Sequence, residues 1–180
     1  MINIKFPDGS VRQYEAGVSA YDIAMGISPR LAADVLAAQI KYPDEPETSR
    51  GTTIDLTRPI REDCSLRLLK WEDDEAKKVF WHSSSHLMAE ALEALYPGVK
   101  FGIGPAIDNG FYYDVDMNGG TLTDADFKAI EDKMLEFARQ KQDFRRIEVS
   151  KADAMKYFTE KGDQYKQELI SELEDGTITY

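Results

Sequence analysis

Between Phe80 and Leu95 the chain carries apolar residues at helical spacing, and this run constrains the fold more than any other. Phe80, Leu87, Met88, Ala91, Leu92 and Leu95 recur at steps near ~3.6 and form one apolar stripe. Pro97-Gly98 ends the predicted helix. The chain has only two histidines, His82 and His86, and both lie in this run. Four residues apart, they share one helix face, a turn from each other. Wound at ~100° per residue, they fall opposite the stripe, beside Ala89 and Glu93. They are therefore not core-packing histidines. They face open solvent, or they line a cleft closed by another part of the protein.

The 180 residues are enough for one or two domains with real cores. A hydrophobic content of 42% with 31% charged residues excludes a disordered or membranous chain. No apolar run approaches the ~20 residues of a membrane span. Met1 to Phe6 lacks the basic head and apolar core of a signal peptide. A single cysteine, Cys64, excludes an internal disulfide framework. These features predict a cytoplasmic protein with no membrane partner. A net charge of −11 argues against generic nucleic-acid binding, so any such contact needs a local patch.

Ile2, Ile4 and Phe6 alternate with polar residues and predict a strand, followed by an Asp8-Gly9 turn and a return strand over Val11 to Tyr14. Ser19 can cap a short helix that Gly26 ends, and Ser28-Pro29 opens another. Val35 to Ile40 reads equally as helix or strand. Tyr42 to Gly51 is a polar loop. Ile54 to Leu56 and Ser65 to Leu69 read as strands, so the first ~65 residues predict an α+β roll. Trp71 to Glu75 is an acidic hinge in which Asp73 or Asp74 can cap the central helix. Lys100 to Asp114 predicts a hairpin turning at Asn109-Gly110; its Gly102-x-Gly104 pair is weak as a phosphate loop. Thr123 with Asp126 forms a capping box for a helix with Phe127, Ile130, Met134, Phe137 and Ala138 on one face. Phe144 to Val149 reads as a strand. Lys141, Arg145, Arg146 and Lys151 form the densest basic cluster, either a solvated face or a phosphate contact. Ser150 with Asp153 repeats the capping pattern, Asp163 begins a further helix, and Gly176 to Tyr180 looks like the start of a strand.

Three segments together carry a family resemblance: Phe80-Trp81-His82-Ser83-Ser84-Ser85-His86, then Gly102-Ile103-Gly104-Pro105-Ala106-Ile107-Asp108-Asn109-Gly110-Phe111-Tyr112-Tyr113-Asp114, then Tyr165-Lys166. In order and spacing the chain resembles the N-terminal region of bacterial threonyl-tRNA synthetases. The resemblance implies an α+β protein of two domains. Residues 1–65 would be a TGS domain, a ubiquitin-like β-grasp module. Residues 70–180 would be an editing domain with a central histidine-bearing helix, truncated at its C-terminal end. The loop from Tyr42 to Gly51 departs from the family by its length. The family pattern continues with a cysteine and a histidine that complete the editing cleft, so the resemblance implies a fragment that is itself inactive.

By the same resemblance the region hydrolyses serine wrongly esterified to threonine tRNA. His82, His86 and Lys166 would be catalytic, the histidines orienting a water and the 3′-terminal ribose, the lysine supplying positive charge to the carbonyl oxygen or water. Tyr113 would shape the substrate pocket. No metal or cofactor is expected in this region; ATP, magnesium and zinc belong to the family's catalytic domain. The implied partner is the acceptor 3′ end of threonine tRNA, and the parent enzyme would be a homodimer through that catalytic domain. Two other readings compete. One is a metal-dependent hydrolase of the alanyl-tRNA editing type, since histidines at this spacing can bind zinc. The other is a non-enzymatic TGS module that regulates or binds RNA, which leaves the histidine helix unexplained.

Overall fold

The computed structural model describes residues 1–142, 147–174 and 176–179. It divides into two compact units, Met1–Phe80 and Trp81–Tyr180.

In the first unit, β1 (Ile2–Lys5) and β2 (Val11–Tyr14) form an antiparallel hairpin. Asp8 closes its turn by accepting from the Ser10 amide at 2.9 Å and hydroxyl at 2.6 Å. Next come β3 (Val18–Ser19), α1 (Ala20–Ile27) and α2 (Pro29–Asp34). Ser19 and Asp22 complete a capping box at the start of α1, and Ser28 caps α2 ahead of Pro29. The ambiguous segment resolves as strand β4 (Val35–Lys41), whose inward positions Val35, Ala38 and Ile40 are buried. Strands β5 (Thr52–Ile54), β6 (Pro59–Ile60) and β7 (Cys64–Lys70) follow. The strand expected over Ile54 to Leu56 thus begins earlier and ends at Ile54, because its pairing partners on β4 are Ala38 to Ile40.

The sheet order is β2-β1-β7-β4-β5, with β1 and β7 parallel. This is the ubiquitin-like β-grasp arrangement, with α1 packed on one sheet face. Ile4, Ile23, Ile60 and Leu66 are fully buried in its core. Each such side chain contributes roughly 2–3 kcal/mol by leaving water. Cys64 is buried there too, and burial pushes its thiol up to about 11, so it packs as a small apolar group. Gly51 is required where it stands. Its φ is +78°, and a Cβ would lie 2.2 Å from the Ile40 carbonyl oxygen. The polar loop before it is pinned onto β4 by this close approach and by Glu45, which accepts from Tyr42 N–H and the Ser49 hydroxyl.

Helix α3 (Asp74–Leu95) contains the boundary between the units. Its first turns place Ala76 and Val79 on Ala37 and Leu69. Asp73 does not use its carboxylate to cap this helix. It turns back to accept from the Lys70 amide at 2.9 Å and from the Arg67 guanidinium.

In the second unit, β8 (Lys100–Phe101) pairs with β11 (Val115–Asp116), and β9 (Ala106–Ile107) pairs with β10 (Gly110–Phe111). The two nested ladders make one hairpin. Its turn is Asp108-Asn109, one residue earlier than expected, and Gly110 is the first residue of β10 with φ of +145°. Asp114 opposes both Gly102 and Ile103, exchanging bonds of 2.8 and 2.9 Å with them, so the outer ladder carries a bulge. Helix α4 (Asp124–Gln140) opens on the Thr123–Asp126 capping box. Strand β12 (Glu148–Ser150), α5 (Lys151–Glu160), α6 (Gln164–Glu172) and β13 (Thr177–Thr179) complete the unit, with β12 and β13 antiparallel. Of the strand expected from Phe144, residues 148–150 are strand; Phe144, Arg145 and Arg146 lie outside the described residues. Lys151 of the basic cluster donates to the Ser171 carbonyl at 3.1 Å. The core gathers Leu92, Phe101 and Ile130, with Met88, Ala89, Tyr113 and Met134 against it. Among the described residues, no helix is long and apolar enough to cross a membrane.

Candidate active site

The four residues singled out in the sequence all lie in the second unit, on α3, the hairpin and α6. On α3 the apolar stripe holds: Ala91 and Leu92 are buried and Leu87, Met88 and Leu95 half-buried, while His82 and His86 are exposed. Phe80 departs from the pattern at 39% exposure. Ala89, expected beside the histidines, packs against the core.

The imidazoles meet through their Nε2 atoms, 3.0 Å apart. That contact needs one ring to donate from Nε2 and the other to accept, so two imidazolium rings cannot make it. Burial lowers the pKa of His86, and the positive charges of His82 and Lys166 lower it further. His86 reaches solvent at its edge, yet enough protein surrounds it to disfavour the charged form.

Between the histidines, Ser85 is fully buried. Its hydroxyl lies 2.7 Å from the His82 carbonyl and 3.2 Å from the Gly104 carbonyl. It ties the histidine turn of α3 to the hairpin. Gly104 in turn lies flat against Tyr113: a Cβ there would sit 2.4 Å from the ring. Tyr113 packs edge-on against Phe101 at 5.4 Å, and burial raises its pKa.

Lys166 reaches this cluster from α6. Its ammonium donates to the Gly102 carbonyl at 2.8 Å, and stands 5.8 Å from the centre of the Tyr113 ring. The hairpin bulge presents that carbonyl. Burial lowers the Lys166 pKa, and the negative charge of Asp163 opposes the shift. Asp163 is itself 8% exposed and caps α6, accepting from the Lys166 amide at 3.1 Å. Thus His82 touches His86, Lys166 stands over Tyr113, and the charge of Lys166 acts on His86.

Ser85, Gly104 and Asp163 organise these groups but were not singled out in the sequence. The small residues of the His82-to-His86 turn and the glycine spacing of the hairpin were the available signals. The helix start at Asp163 was legible; its capping role and its burial were not. Among the described residues, no group of three or more metal-ligating side chains gathers.

The arrangement sets an imidazole pair that cannot be doubly protonated beside a fixed cation and an aromatic wall. Such a set can accept a proton from water and hold negative charge on a neighbouring oxygen.

Comparison with known proteins shows what the chain is similar to. The TGS domain family matches residues 2–70. A threonine–tRNA ligase of Parabacteroides distasonis is 58% identical over 99% of this chain and 26% of its own length. That of Porphyromonas gingivalis is 58% identical over 99% and 26%, and that of Flavobacterium johnsoniae 49% identical over 100% and 26%. The chain spans about a quarter of the length of the curated relatives it matches. The chain thus carries a match to the TGS domain at its start and is similar along essentially its whole length to about a quarter of these threonine–tRNA ligases.

Proposed function

We propose that residues 70–180 form a proofreading domain that hydrolyses serine mistakenly esterified to threonine tRNA. The observation that carries this reading is the imidazole pair at 3.0 Å beside the half-buried ammonium of Lys166. The chemical need is general. Threonine exceeds serine by one methyl group, and a difference of that size supports only ~1–3 kcal/mol of discrimination in a binding pocket. A ligase for threonine therefore gains from a second site that cleaves the wrong ester.

In this reading a water attacks the seryl carbonyl carbon, and the histidine pair takes its proton. The depressed pKa of His86 keeps an imidazole free to do so near neutral pH. The Lys166 ammonium stabilises the tetrahedral oxyanion. The intermediate collapses, the histidine pair returns the proton to the ribose oxygen, and free serine and intact tRNA leave. Tyr113 bounds the pocket that holds the seryl group. ATP, magnesium and zinc would serve aminoacylation in other parts of the full-length enzyme, which would be a cytoplasmic homodimer.

The test joins this chain to the remaining three quarters of a matched ligase and follows deacylation of seryl-tRNA. His82→Ala and His86→Ala should each slow it by ~10²-fold or more. Threonine activation should stay unchanged. Full-rate deacylation in both variants would make the histidines an ordinary solvated face.

A further inference from the structure

In the mechanism above Lys166 acts, and its neighbour Tyr165 has no part. Both stand in the first turn of α6, which Asp163 caps. The Tyr165 hydroxyl donates to Asp116 Oδ2 at 3.1 Å, across 49 residues of chain. The Lys166 ammonium donates to the Gly102 carbonyl at 2.8 Å. Both acceptors belong to the outer ladder of the hairpin. Asp116 is the last residue of β11, and Gly102 follows directly on β8. Gly102 donates its amide to the Asp114 carbonyl, so Asp116 is its diagonal neighbour across the ladder. Such neighbours lie ~7–8 Å apart. The first turn of α6 is thus fastened at two separated points, one on each strand.

A lysine ammonium sits at the end of a long methylene chain and loses much rotamer freedom when it is held. One hydrogen bond to a carbonyl does not fix such a side chain; the position of its backbone relative to the acceptor does the rest. Asp163 accepts from the Lys166 amide at 3.1 Å, but it moves with α6 and sets the helix start rather than its seat on the hairpin. Tyr165 supplies the seat, because its acceptor is itself held. Asp116 Oδ1 accepts from the Asn118 amide at 2.8 Å, and the Asn118 side chain donates to the Gly98 carbonyl. Donation to the carboxylate raises the Tyr165 pKa, so the hydroxyl keeps its proton. At 40% exposure Tyr165 is no core residue. A surface tyrosine bonded to a carboxylate is ordinary. This one differs because its neighbour carries the ammonium and its partner lies on the ladder that presents the Gly102 carbonyl.

We propose that Tyr165 is a positioning residue for the proofreading reaction: through Asp116 it seats the first turn of α6 on the hairpin, and that seat sets where the Lys166 ammonium stands. The proposal rests on the proofreading reading for its chemistry and on the two fastening points for its geometry. Without the hydroxyl, the seat loses one of its two points. The ammonium then follows the helix instead of the site, and the oxyanion loses part of its stabilisation. Tyr165 acts through Lys166 on the transition state, so kcat falls and KM holds.

The test reads the same variants twice. In this chain, the methylene NMR signals of Lys166 report its place beside the Tyr113 ring through ring-current shifts. Tyr165→Phe and Asp116→Ala should each move them toward the values of an unstructured lysine. In the ligase joined as above, each should lower kcat for seryl-tRNA deacylation about tenfold and leave KM within about twofold. Adding Tyr165→Phe to Asp116→Ala should do nothing more, since both remove one bond. Thr123→Ala, which loses a cap on α4, should lower the urea midpoint yet leave the Lys166 signals and kcat at the parent values. Unmoved Lys166 signals, additive effects in the double variant, or equal changes in Thr123→Ala would overturn the proposal. So would an undiminished kcat in a ligase that His82→Ala slows. Full-rate deacylation in both histidine variants sinks the proofreading reading instead, and the NMR signals then still decide the placement of Lys166.

Discussion

His86 is kept neutral from three sides: protein surrounds it, and His82 and Lys166 are the charges it would have to approach. Its pKa lies below the ordinary 6.5. The unfolded chain therefore binds a proton at this residue more readily than the folded one. The associated stability is fully present above pH 6.5 and is lost as pH falls through the folded value. Imidazole NMR titration from about pH 8 to about pH 4 should show His86 titrating below 6.5, and His86→Gln should flatten the acid side of the stability curve. A midpoint at or above 6.5 would contradict the geometry. The histidines were legible in the sequence because only two exist and their spacing fixes one face. Ser85 and Asp163 were not, because serine and aspartate are common on solvated faces. Their burial depends on contacts 19 residues away for Ser85 and on the packing around α6 for Asp163.

At the scale of elements, local chemistry was the most legible part. The Thr123–Asp126 box holds as expected: the Asp126 carboxylate accepts from the Thr123 amide at 2.8 Å and hydroxyl at 2.7 Å. Asp126 also accepts from the Tyr96 hydroxyl at 2.8 Å, which fastens α4 to the segment after α3. Thr123→Ala should cost about 1 kcal/mol, the usual value of a lost cap, readable as a lower urea midpoint. Asp126→Ala should cost more, because the tyrosine contact goes with it. Gly104→Ala is the sharper case. Its Cβ would overlap the Tyr113 ring at 2.4 Å, so the ring must leave its place over Gly104. A cost of ~1–3 kcal/mol should follow, together with a change in the Tyr113 environment seen by NMR. What misled at this scale was pairing register. Asn109-Gly110 is a good turn pair, but the ladder of Ala106 and Ile107 with Gly110 and Phe111 places the turn on Asp108-Asn109. Asp73 or Asp74 was expected as the cap of α3, yet Arg67, six residues before Asp73 on β7, claims the Asp73 carboxylate. Both outcomes depend on partners that periodicity does not reveal.

For the whole molecule, the four buried clusters are each confined to one unit. The first holds Ile4, Ile23, Ile60 and Leu66, and the last holds Leu92, Phe101 and Ile130. A chain with separate cores need not unfold in one step. Leu66→Ala removes a fully buried side chain from the β-grasp core, and Leu92→Ala removes one from the core face of the histidine helix itself. Each should cost ~2–5 kcal/mol where it acts. In a unit of about 100 residues that lowers the melting temperature by roughly 10 °C or more. Calorimetry should resolve two transitions, with Leu66→Ala shifting one and Leu92→Ala the other. Hydrogen exchange assigns them: amides of β1, β4 and β7 should lose protection only in Leu66→Ala, and amides of α4 only in Leu92→Ala. A single transition shifted equally by both substitutions would mean that the two cores fold as one cooperative body.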